Sequence, residues 1–203
     1  MNFYYWFGYH LSRILAKIFF RFRILHRERM IQSGPVILVS NHQSYFDPPL
    51  AGNVSDRAIY FLARRNLLYV PVLGWVLPKL NVIPVDQEGV DRSALKGIIK
   101  VLKRGECALV FPEGERTLDG RLQPAQPGLG LIIARTLAPV VPIRIFGAHE
   151  TLPRAGGFHF HSITVVVGEP IYFSVADLHP RDKDLYGRLS QRVMDAIAAL
   201  KLE

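Results

Sequence analysis

Apolar positions recur along this chain with two periods. Short runs of aliphatic residues bounded by Gly, Pro or Asn read as buried strands. They fall over 35–39, 58–63, 81–86, 107–111, 139–146 and 162–167. Between several of them the spacing shifts to three and four. That predicts a helix over 91–104, with Leu95, Ile98, Ile99 and Leu102 on one face and Gly105 as its stop. It predicts two more over 128–137 and 183–202, the last with Leu185, Leu189, Val193, Ile197 and Leu200 inward. Strands alternating with helices imply an α/β fold, a single domain with a largely parallel sheet flanked by helices. In such sheets ligands bind beyond the carboxyl ends of the strands. There is no internal repeat, low-complexity tract or long linker.

The first 29 residues follow a different pattern. Phe3, Tyr4, Tyr5, Trp6, Phe7 and Tyr9 crowd the start, and apolar residues then alternate with Arg13, Lys17 and Arg21, which are four apart and share a helical face. Six Lys and Arg against the single Glu28 supply five of the net +8 charge. Such a helix is long enough to span a bilayer, but each cation at mid-membrane costs roughly 2.5–3.5 kcal/mol. An amphipathic membrane-surface helix over 1–29, preceding a domain over 30–203, fits the pattern without that cost. A helix packed on the protein's own core is the alternative. The positive charges follow the apolar start, so a signal peptide does not fit.

A composition that is 49% hydrophobic with a +8 charge points to an anionic membrane as partner rather than nucleic acid, for which no binding signature is present. The lone Cys107 cannot form an internal disulfide and reads as a small buried hydrophobe. The stretch 66–80 is almost wholly apolar, broken by Pro71 and Gly74 and too short to span, and as core it would be ordinary. His159 and His161 in Phe-His-Phe-His fall on one face of an expected edge strand; with no third ligand in view, they read as solvated rather than metal-binding.

The chemistry concentrates after the first strand, in Ser40-Asn41-His42-Gln43-Ser44-Tyr45-Phe46-Asp47-Pro48-Pro49. Histidine is the natural general base near neutral pH, and an aspartate can orient it. Five residues on a helix turn through about 500°, so His42 and Asp47 meet only if the segment between them is a loop. Pro48-Pro49 suits a helix starting there, with Asp47 as its N-cap. A cap and a loop histidine are therefore the plain reading; a general-base pair is the chemical one. A second stretch, Phe111-Pro112-Glu113-Gly114-Glu115-Arg116, places a sharp turn at a strand end, with Arg116 able to make a bidentate contact to phosphate. Glu113 would repel phosphate, so it is expected to orient Arg116 or a substrate hydroxyl.

Together, Asn-His-x4-Asp and, about seventy residues later, Phe-Pro-Glu-Gly-x-Arg resemble the glycerolipid acyltransferase family, over roughly residues 34–170. The Val-Pro-Ile segment within 139–146 resembles a further, weaker block of that family. The resemblance implies acyl transfer from an acyl thioester, on coenzyme A or acyl carrier protein, to a lysophospholipid hydroxyl such as that of 1-acyl-sn-glycerol-3-phosphate. It implies His42 and Asp47 as the catalytic pair, with Arg64, Glu113, Gly114 and Arg116 binding substrate, no metal and no bound cofactor. It also places 66–80 near the acyl chain; the basic N-terminal helix, with a single cysteine that fits a reducing compartment, is expected to hold the protein at the cytoplasmic face of a membrane as a peripheral or monotopic enzyme. The family pattern has an Arg after the third strand where this chain has Gln87, which bears on the acceptor's head group; Arg92 is a nearby substitute. A hydrolase using the same pair on an ester, and a non-catalytic basic lipid-binding module, are the competing readings. The first is separated by assaying transfer against thioester hydrolysis, the second by whether His42 is dispensable.

Overall fold

A computed structural model of the chain describes residues 3–86 and 92–202; Gln87 and the expected helix start at Asp91 lie outside them. Seven strands form one sheet: β1 (Arg23–Leu25), β2 (Val36–Ser40), β3 (Ile59–Arg64), β4 (Val82–Val85), β5 (Cys107–Val110), β6 (Val140–Phe146) and β7 (Thr164–Val167), in the order β1-β7-β6-β2-β5-β3-β4. Every neighbouring pair is parallel except β6–β7. The helices are α1 (Phe3–Phe20), α2 (Asp47–Gly52), α3 (Leu73–Val76), α4 (Arg92–Lys103), α5 (Pro127–Thr136), α6 (Ala148–Thr151) and α7 (Leu185–Ala199).

β2 is central, and all five of its residues are buried, as an unbroken aliphatic run requires when both faces are covered. Its side chains alternate between two layers. Val36 and Leu38 face a core shared with Ala16, Phe20, Leu50 and Ala51 of α1 and α2. Ile37 and Val39 face Ile98, Leu129, Ile133 and Ile197 of α4, α5 and α7. After β2 the chain builds β3 and β4 outward, returns to insert β5 between β2 and β3, and then adds β6 on the other side of β2. The loops leaving β2 and β5 therefore lie side by side on one edge of the sheet. Behind the second loop, α5 is pressed against α7. A Cβ on Gly130 would stand 2.0 Å from the Tyr186 carbonyl oxygen. Ser190 Oγ accepts the Gly130 amide and donates to the Gln126 carbonyl, both at 2.9 Å.

Three sequence expectations change. The helix expected over 1–29 ends at Phe20, Arg21 takes a φ of 45°, and residues 23–25 pair with β7. A three-residue strand has no readable period; it forms because β7 offers an open edge. Arg21 thus leaves the helical stripe, Arg13 donates to the Tyr9 hydroxyl, Arg27 pairs with Asp56 and Arg29 with Glu169. Half of the six N-terminal cations are engaged by the protein itself. Second, the apolar stretch between β3 and β4 is not core: Tyr69, Val72 and Trp75 are 81%, 74% and 63% exposed. It leans on the start of α1, with Tyr4 edge-on to Trp75 and Lys79 Nζ 3.1 Å from the Trp75 ring centroid. Third, residues 158–161 form no strand, because β7 already has β1 and β6 on its two edges. Phe158 and Phe160 instead pack against Phe20, Phe46 and Phe19. Among the described residues no group of His, Cys, Asp and Glu could hold a metal ion.

Candidate active site

The turn after β2 is held by its own polar atoms. Asn41, fully buried, acts as a further strand rung: its amide nitrogen donates to the Ile145 carbonyl at 3.0 Å, and its amide oxygen accepts the Ile145 N–H at 2.8 Å. The backbone of His42 is gripped at both ends. Its N–H donates to Glu113 Oε1 at 2.9 Å, and its carbonyl accepts the Thr117 N–H, also at 2.9 Å. The loop after β5 thereby sets the position of the loop after β2.

Asp47 is the first residue of α2, and its carboxylate points back into the turn rather than capping the helix. Oδ2 accepts the backbone N–H groups of Gln43 at 2.5 Å and Ser44 at 2.7 Å. The same oxygen lies 2.8 Å from His42 Nδ1. An oxygen that accepts from two backbone amides is an acceptor for the third contact too, so in the neutral ring Nδ1 carries the hydrogen and Nε2 keeps its lone pair. Asp47 is fully buried, whereas the His42 side chain keeps 18% exposure. Asp47 Oδ1 is buried with no hydrogen-bond partner among the described residues. Phe111 lies under the imidazole, with ring centroids 4.0 Å apart and planes 17° from parallel.

Glu113 does not orient Arg116. Both of its oxygens are taken by backbone amides, Oε1 by His42 and Oε2 by Gln123 at 3.1 Å. Burial pushes its carboxyl up to about 7, against the two amide bonds that pull it down and with help from nearby Asp47. Gly114 turns the chain at φ 79°, and its N–H is spent within the turn on the Phe111 carbonyl. Arg116 lays its guanidinium 3.5 Å above the ring centroid of Tyr45, a cation–π platform supplied by the His42 loop. Its Nη1 is buried and has no hydrogen-bond partner among the described residues. Arg154 donates to the Arg116 carbonyl at 2.6 Å and pairs with Glu115 at 2.8 Å. Arg64 ends β3. It lies three residues past the Phe61–Leu109 pair, as Pro112 does on β5, so it shares the rim.

The structure thus brings His42, Asp47, Glu113, Gly114 and Arg116 into two interlocked loops and leaves Arg64 at their border. Phe111, Thr117, Gln123 and Tyr45 were missed in sequence. Tyr45 and Phe111 stand inside the two motifs, and an aromatic within a polar turn is the signal that marks them. Cys107 is buried, with its thiol pushed up to about 12 by desolvation, which makes it a packing residue and not a nucleophile.

The Acyltransferase family model matches residues 21–146. The chain is 34% identical over 149 residues to the chloroplastic 1-acyl-sn-glycerol-3-phosphate acyltransferase BAT2 of Brassica napus, covering 71% of this chain and 43% of that protein. It is 31% identical over 167 residues to the 1-acyl-sn-glycerol-3-phosphate acyltransferase of Pseudomonas aeruginosa, covering 80% and 63%. The chain spans about half the length of the curated relatives it matches. Its fold superposes on the crystal structure of the 1-acyl-sn-glycerophosphate (LPA) acyltransferase PlsC from Thermotoga maritima with a TM-score of 0.74 at 24% identity, covering 97% of this chain and 80% of that one.

The raised Glu113 carboxyl has a testable consequence. The folded state holds this proton more tightly than the unfolded chain, where the carboxyl titrates near 4.5. Its contribution to stability is full below that pH and is lost as pH rises through about 7. Thermal unfolding of the parent and of Glu113→Gln from pH 4 to 8 should give a difference that shifts against the parent across this window and then levels off. Parallel curves would mean that Glu113 ionises as an ordinary surface carboxyl.

Proposed function

This chain belongs to the acyltransferase family, and on that premise we propose that it moves a fatty acyl group from an acyl thioester to the free hydroxyl of 1-acyl-sn-glycerol-3-phosphate. The observation that carries the reading is the His42 Nδ1–Asp47 Oδ2 contact of 2.8 Å, at the carboxyl end of β2 and beside the Glu113–Arg116 turn. With Nδ1 committed to Asp47, Nε2 takes the proton of the acceptor hydroxyl as its oxygen attacks the thioester carbonyl carbon. The buried Asp47 carboxylate stabilises the imidazolium that forms. When the tetrahedral intermediate collapses, the carbon–sulfur bond breaks and Nε2–H returns the proton to the departing thiolate. The acceptor oxygen is itself the nucleophile, so no Ser or Cys is required. Arg116, its guanidinium held over Tyr45 beside the turn, binds the acceptor phosphate, and Arg64 adds charge at the rim. Acyl-CoA and acyl carrier protein are the donor classes that supply such a thioester; no other cofactor enters the chemistry.

α1 brings this site to its substrates. It anchors through Tyr5, Tyr9, Ala16 and Phe20 and exposes Phe3, Trp6, Phe7, Ile14 and Ile18 along one side. No helix among the described residues is long and apolar enough to cross a membrane. The exposed face, with Lys17 and Arg21 beside it, suits the headgroup boundary of an anionic bilayer. Tyr69, Val72 and Trp75 continue the same surface.

His42→Ala should lower transfer to lysophosphatidate by about 10²–10⁴ with melting unchanged; near-normal turnover from a folded variant would sink the mechanism. Asp47→Asn retains the size of the side chain and one acceptor oxygen but removes the negative charge that stabilises the imidazolium, and should give a large loss of turnover. Separately, Ile14→Gln with Ile18→Gln, at positions 54% and 67% exposed, should weaken binding to anionic vesicles without changing the melting temperature. Undiminished binding would place the membrane contact elsewhere.

A further inference from the structure

The helices α4 and α5 lie on the sheet face opposite α1 and α2. Between them runs a groove of about 440 Å³ with Leu95 and Ile99 in its floor and Arg92, Lys96, Lys103 and Arg135 along its walls. Neither helix contains an acidic residue. All four cations are exposed, and none is ion-paired among the described residues. Three arginines elsewhere in the chain are, by contrast, ion-paired: Arg27 with Asp56, Arg188 with Asp182 and Arg192 with Asp177. A self-repelling row of cations over an apolar floor is the complement of an acidic amphipathic surface. From Arg92 to Lys103 the row covers three turns of helix, about 16 Å.

The groove also lies where a donor must approach. α5 follows Gln126, whose N–H donates to the Pro112 carbonyl at 2.7 Å, in the same turn as Glu113. α4 is the element after β4, which ends on the same sheet edge as β2 and β5. One mouth of the groove therefore opens at the rim of the His42 site, and its length runs down the face away from α1.

We propose that this groove docks an acyl carrier protein, an acidic protein whose negatively charged helix would lie between α4 and α5 while its thioester arm reaches over the rim. The inference rests on the acyl-transfer reading and adds the carrier to it. A small phosphate-bearing donor would engage one end and leave Lys103, at the far end of α4, without a role. A membrane would have to meet this face and α1, on opposite sides of the sheet, at once.

The test compares the full parent chain with Lys96→Glu/Lys103→Glu/Arg135→Glu, using acyl-[acyl carrier protein] and acyl-CoA as donors at saturating lysophosphatidate, with thermal melting as the check on folding. KM for the carrier-borne donor should rise by about tenfold or more, while kcat and the KM for acyl-CoA stay within about twofold. If charge reversal unfolds the protein, the corresponding Gln variant should show the same selective rise, smaller in size. An unchanged KM for the carrier-borne donor, or an equal rise with both donors, overturns the proposal. So does a parent active with acyl-CoA alone, an outcome that leaves the acyl-transfer reading standing; a parent that transfers from neither donor overturns both. Loss of binding to phosphatidylglycerol vesicles, with both KM values untouched, would assign the groove to the membrane instead.

Discussion

One buried oxygen, Asp47 Oδ2, accepts three hydrogen bonds, and the geometry of the site follows from it. Two of the donors are backbone amides of the turn that carries His42, so the carboxylate folds the turn and orients the imidazole at once. A carboxylate taken out of water is costly unless its hydrogen bonds are made. Here one oxygen is saturated, and the other, Oδ1, has no partner among the described residues. The remaining negative charge is best offset by a cation beside it, which is what His42 becomes when it accepts a proton.

That turn could not hold its position alone. Glu113 reaches from the loop after β5 to the His42 amide, and Thr117 returns a hydrogen bond to the His42 carbonyl. The exchange is possible only because β5 is inserted beside β2 in the sheet, an order fixed by the crossover through β3 and β4. The aliphatic alternation of β2 locks the register by committing Val36 and Leu38 to one layer and Ile37 and Val39 to the other. Core packing thus reaches the chemistry through a short path: strand register, loop position, amide clamp, imidazole.

The strands of the sheet centre were legible because they are continuous aliphatic runs, and the long helices because their period is clean. The turn residues were legible as residue types: a His and an Asp five apart ahead of two prolines, and a Glu-Gly turn followed by Arg. Their partners were less so. A Glu near an Arg suggests an ion pair, yet Glu113 serves two backbone amides, and no side-chain pattern records where backbone donors will fall. Asp47 before two prolines suggests a cap, yet its carboxylate turns upstream, because the amides of Gln43 and Ser44 converge on it. β1 was hidden for a different reason: three residues carry no period, and their strand exists only because β7 leaves an edge beside them. The stretch around Trp75 misled because apolarity alone does not distinguish a core from an exposed apolar surface.

The most direct test of the central claim is which nitrogen carries the hydrogen in the neutral His42 ring, observed by nitrogen-15 NMR of the imidazole. The structure predicts hydrogen on Nδ1, hydrogen-bonded to Asp47, and a bare Nε2 in the parent protein, with that preference lost in Asp47→Ala, which leaves Nδ1 no acceptor. Hydrogen on Nε2 in the parent, or a pattern indifferent to Asp47→Ala, would contradict the account.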